Sequence, residues 1–185
     1  MTHNAPLIRF MRSLDTFTEV TGRTLAWLNV GMVVLTFAVV LLRYLFNHSS
    51  IFMQESVMYL HAMVFMLASA YTLKHNEHVR VDIIYQKLSG RRQALIDLLG
   101  TLFLMLPVVI FIAVTSWDYV VRSWHIMETS PESSGIPAVF LLKSLMPLMC
   151  ALLIIQGVAE VLRNIAVMTG VLPKEAPPAA AEEWL

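Results

Sequence analysis

The stretch TLAWLNVGMVVLTFAVVLL, residues 24–42, carries no charged side chain and is long enough to decide the fold class. A helix rises about 1.5 Å per residue and the hydrocarbon core of a bilayer is about 30 Å thick, so this stretch with a flanking residue or two crosses a membrane. Three more runs read the same way: 56–73 and 98–117, also without charge, and 136–159, interrupted only by Lys143. The alternative, four buried helices in a soluble core, would leave a 185-residue chain almost no polar surface to face water. Composition agrees, with 57% hydrophobic and 14% charged residues, where a soluble domain carries about 25% charged. The chain is predicted to be an all-α integral membrane protein with four transmembrane helices, at about 24–46, 52–73, 95–121 and 137–162. They form a membrane domain over 24–164, between an N-terminal segment 1–23 and a flexible tail 165–185 rich in Pro, Ala and Glu.

Basic residues resist translocation, so their distribution predicts orientation. The N-terminal segment has Arg9, Arg12 and Arg23; the second connection has Lys74, Arg80, Lys87, Arg91 and Arg92; the tail has Arg163 and Lys174. Against these, the first connection has only Arg43, and the third only Arg122 and Lys143. Both termini and the second connection are therefore expected in the cytoplasm. Leu7, Phe10, Met11, Leu14 and Phe17 fall on one helical face with Arg9, Arg12, Thr16 and Glu19 opposite, predicting an amphipathic helix at the cytoplasmic interface or against a partner. No small-residue cleavage site follows the first apolar run, so that span is expected to be retained. Asn47 to Ser50 make a short polar turn, which predicts an antiparallel hairpin of spans one and two. Val81, Ile84 and Leu88 suggest a short interfacial helix in the second connection, and Pro107 and Pro147 are expected to kink spans three and four.

Chemistry is sparse. His75 and His78 have a spacing able to hold a metal, but no further ligands lie near in sequence, and a solvated interfacial pair is the simpler reading. Haem between helices needs histidines at matched depth, and His61 alone lies well inside a span. Gly-rich phosphate loops, HExxH and a serine elbow are missing, so neither catalysis nor a cofactor is expected. Cys150 is a lone thiol within the fourth span, and the dispersed basic residues offer no nucleic-acid surface. The remaining signals are charges at the outer boundary. Arg43 closes the first span and Glu55 opens the second, so the hairpin suggests a pair; snorkelling to headgroups is the alternative for Arg43 and Lys143. Lys143 lies inside the fourth span and needs an acid, a carbonyl or a phosphate. Glu128 and Glu132, in the long third connection, are candidates for docking a soluble partner.

The order of several short motifs resembles a known family. Arg43-Tyr44-Leu45-Phe46 followed by Gln54-Glu55, then Ala70-Tyr71-Thr72-Leu73-Lys74, His78-Val79-Arg80-Val81-Asp82 and Leu142-Lys143-Ser144 look like the small membrane subunit, DctQ type, of TRAP transporters, over roughly residues 23–164. The resemblance marks Arg43, Glu55, His78, Asp82 and Lys143 as structural or interface candidates. It implies a non-catalytic scaffold in a bacterial inner-membrane importer of organic acids, driven by a sodium or proton gradient. Its implied partners are a large elevator-type permease, expected as a separate polypeptide, a periplasmic solute-binding protein and membrane lipids. Two other readings of the residues stay open: a four-helix membrane electron carrier or enzyme subunit, and a self-sufficient channel or exporter.

Overall fold

The computed structural model describes residues 5–76, 85 and 87–173, with side chains from Ile8 onward. Among the described residues all regular structure is helical: α1 (Ala5–Leu45), α2 (Ile51–Leu67), α3 (Ser69–Lys74), α4 (Gly90–Gly100), α5 (Leu106–His125) and α6 (Val139–Met168), with a π-helical turn, Thr101–Met105, joining α4 to α5. Ala68 is the one irregular residue between α2 and α3. The elements therefore make four rods, Ile8–Leu45, Ile51–Lys74, Gly90–His125 and Val139–Met168, each long and apolar enough to cross a membrane.

The N-terminal segment is not a separate helix. It continues into the first span as one 41-residue helix, about 60 Å long. Thr16, Thr21 and Thr24 return their hydroxyls to the carbonyls of Arg12, Phe17 and Val20, so none of them caps a new helix. The buried face is also rotated from the expected one. Phe10 and Phe17 are exposed, whereas Met11, Thr18, Gly22 and Leu25 are buried at heptad-like spacing and form a seam. Gly22 lets the ring of Tyr71 lie on the α1 backbone, since a Cβ there would stand 2.1 Å from Tyr71 Cδ2.

Pro107 is accommodated rather than simply kinking its helix. The turn before it widens so that the Leu106 N–H donates to Thr101, five residues back, which relieves the clash between the proline ring and the preceding turn. Pro147 sits within a single 30-residue helix, α6. That helix is the centre of the bundle and packs on every other element. Gly157 admits Met105 and Leu106, because a Cβ would meet Met105 Cε at 2.5 Å. In the most apolar part of α6, 39% of residues are buried, against 6%, 6% and 11% in the first three rods. The first three rods thus have few fully buried residues, and α1 and α5 in particular leave many large apolar side chains for lipid or another chain. Gly170, at φ 76°, ends α6, with Val171 N–H reaching Ala166 O.

Candidate functional site

Polar side chains gather at the two ends of the bundle. At the end holding the 126–138 loop, α5 stops with Met127 at φ 46°, its N–H on Trp124 O and the next N–H, of Glu128, on Ser123 O. This left-handed cap turns Glu128 toward α6. Its Oε2 accepts from Lys143 Nζ at 2.5 Å, and the ammonium also stands 3.9 Å from the centre of the Tyr119 ring. Trp124 donates its indole N–H to Ser144 Oγ at 2.8 Å and packs edge-on against Phe140. The far side of the loop is held by α2: Glu55 accepts from Ser130 Oγ at 2.5 Å and from Ile136 N–H at 2.6 Å. Gly135 makes room for this, since a Cβ would fall 2.3 Å from Ser130 Oγ and 2.7 Å from Glu55 Oε1.

These contacts correct the expected pair of Arg43 with Glu55. The Glu55 carboxylate is occupied by the loop, while Arg43, on the last turn of α1, is exposed and forms no ion pair with a described residue. Adjacency in the hairpin did not bring the two together because the third connection folds back over the start of α2. Lys143 does find an acid in that connection. Glu128 is consequently half-buried in a pair, whereas Glu132 is exposed. His78 and Asp82 lie outside the described residues.

At the opposite end, a network absent from the sequence reading joins α1 to α6. Arg163 makes a bidentate pair with Asp15, both contacts at 2.7 Å, and bonds Glu160 at 2.7 Å. Gln156, fully buried, accepts from the Thr18 hydroxyl at 2.8 Å and donates to Asp15 and Glu160, each at 3.3 Å. One turn along α1, Glu19 gathers Lys74 at 2.6 Å, Arg23 at 2.7 Å and His75 at 2.9 Å. His75 thus faces a carboxylate and the ring of Tyr71.

The charges at both ends tie this chain's own helices together. Among the described residues no three His, Cys, Asp or Glu side chains come close enough to hold a metal. Residues 32–167 match the family described as tripartite ATP-independent periplasmic transporters, DctQ component. The chain belongs to the DctQ family. That membership makes it a multi-pass component of a transporter and not an enzyme, which removes the electron-carrier and enzyme readings. A curated relative, the C4-dicarboxylate TRAP transporter small permease protein DctQ of Vibrio cholerae serotype O1, is 28% identical over 110 residues, covering 58% of this chain and 45% of that protein. The match therefore spans less than half the length of the relative. No solved structure matches the chain.

The loop attachment has a pH signature. The Lys143 ammonium holds the Glu128 carboxyl below its ordinary value of 4.5. A lowered carboxylate value means that the pair's contribution is complete above the unfolded value and disappears as pH falls through the folded one. Hydrogen exchange over residues 126–138, corrected for intrinsic rates, should therefore stay flat from pH 7 to pH 5 and rise only below the ordinary carboxylate range. Glu128→Gln should exchange faster than the native chain at pH 7 and converge with it in acid. Loosening of the native loop already between pH 7 and pH 5 would exclude this assignment.

Proposed function

We propose that this chain is the scaffold subunit of a secondary-active, binding-protein-dependent importer of organic acids, paired with a large permease subunit that carries the solute. The observation that supports it is the division of labour between polar and apolar surface. Charged groups at the bundle ends staple the chain to itself, while few residues of the first three rods are fully buried and α1 and α5 expose many large apolar side chains. A rigid wall with wide lateral faces suits a partner that moves beside it, and a chain with so little polar lining at membrane depth is poorly suited to carrying a solute alone. Tagging only this chain and solubilising the membrane with mild detergent should retain the large permease. In proteoliposomes, uptake should need both membrane chains, the soluble binding protein and an ion gradient. Uptake by this chain alone would refute the reading.

The proposed orientation places both termini and the Glu19 and Arg163 networks in the cytoplasm. The start of α1 and the ends of α3 and α6 meet there, with Arg9, Arg12, Arg91 and Arg92 exposed at the same end of the rods. In a Cys150→Ala background, single cysteines at Ser49 and Ser133 should react with a membrane-impermeant thiol reagent in intact cells, and one at Ser89 should not. Reaction at Ser89 alone would invert the protein. The outer rim then consists of the Asn47–Ser50 turn and the 126–138 loop, and Glu132 is the acid there that faces outward, toward a binding protein.

A further inference from the structure

A groove of about 600 Å³ runs between α1 and α2, lined by Val33, Thr36, Phe37, Gln54, Met58 and His61 among others. Its walls are apolar and exposed, and it opens to the side of the bundle. His61 lies about 15 Å along the helix from Ile51, close to the middle of the span. It is exposed, stacks on Phe65 and hydrogen-bonds to no described residue. Asn29 lies on the same α1 face as Val33 and Thr36, at i, i+4 and i+7, and is likewise exposed without a hydrogen-bond partner among the described residues.

His61 thus lines the groove and Asn29 lies one helical turn from its Val33 wall, both uncommitted hydrogen-bonding groups at membrane depth. Acyl chains offer neither donor nor acceptor, so lipid filling this groove would leave both groups unsatisfied at a steep cost. Helix–helix contacts in membranes, by contrast, are built from close packing plus a few hydrogen bonds from Ser, Thr, Asn, Gln or His. We infer that the groove between α1 and α2 seats one transmembrane helix of the large permease subunit, with a polar side chain of that helix bonded to His61. Asn29 takes a second contact on the same helix, nearer the cytoplasmic end. The neutral imidazole, one donor and one acceptor, can pair with either a hydroxyl or an amide. The inference rests on the proposed two-subunit assembly and names the face that makes it.

The test uses the co-expressed, co-purified complex. p-Benzoylphenylalanine placed at Val33 or Met58 should crosslink to the large subunit on illumination, whereas the same probe at the exposed Phe111 of α5 should not. His61→Leu should reduce the large subunit recovered with this chain about tenfold, the range of one membrane hydrogen bond with its desolvated partner. The thermal midpoint of this chain purified alone should stay unchanged, and His61→Gln should keep most of the recovery. Adducts from Val33 and Met58 to lipid only or to a second copy of this chain would overturn the assignment, as would crosslinking to the large subunit solely from Phe111. Native recovery with His61→Leu would do the same. In each of these cases the large subunit still co-purifies, so the two-subunit reading survives; its absence from the unsubstituted preparation would refute that reading itself.

Discussion

Arg163→Met should give the largest loss of stability of any single change outside the apolar core. The guanidinium answers Asp15 and Glu160 at once, with side chains only 19%, 19% and 10% exposed, and its removal leaves two carboxylates facing each other across α1 and α6. Breaking a buried pair by removing one partner costs about 3–5 kcal/mol, mostly from the charge left behind, and the partial exposure of this site puts the expected loss near the lower limit. The thermal midpoint in detergent should fall sharply. Arg163→Met combined with Asp15→Asn should recover part of that fall, because one orphaned charge has gone. Equal midpoints for native and Arg163→Met protein would show that the network contributes nothing.

Glu55→Ala should release the 126–138 loop. The carboxylate is the acceptor for both Ser130 Oγ and Ile136 N–H, and a hydrogen bond to a charged group is stronger than a neutral one. Proteolysis within the loop should accelerate several-fold, and, under the proposed docking of a binding protein on the outer rim, transport should become limited by how well that protein engages a moving rim. Ser130→Ala should reproduce part of the effect and add little to Glu55→Ala, whereas Arg43→Ala should act independently of it. Coupling of Glu55 to Arg43 in that double-mutant cycle, with none to Ser130, would restore the hairpin pair that the structure replaces.

The contrast between Lys143 and Arg43 shows where sequence reasoning holds. Lys143 announced itself because an apolar run too short without it forces the charge into the membrane, and the acid it needed was present in the neighbouring connection. Arg43 and Glu55 were matched by chain adjacency, which says nothing of a loop 81 residues downstream whose Ile136 N–H claims the carboxylate. The four spans were legible from apolar length alone, and the Asn47–Ser50 turn from its polar residues. The continuity of α1 was not, since a short amphipathic pattern looks the same whether its face meets a membrane surface or another helix. A signal existed on α6: Gln156, Glu160 and Arg163, spaced by four and three, share one face of a largely apolar helix. The π-helical turn had no comparable signature beyond Pro107.

The central place of α6 also sets a timetable for biogenesis. Asp15 and Arg163 are 148 residues apart, which at about 5–20 residues per second is roughly 7–30 s of translation. Over that interval the second and third rods are made while Asp15 has no partner on α6, whereas Glu128 precedes Lys143 by only 15 residues. A chain stopped before α6 therefore lacks the basic partners of both Asp15 and Glu128, leaving an unneutralised acid at each end of the three rods.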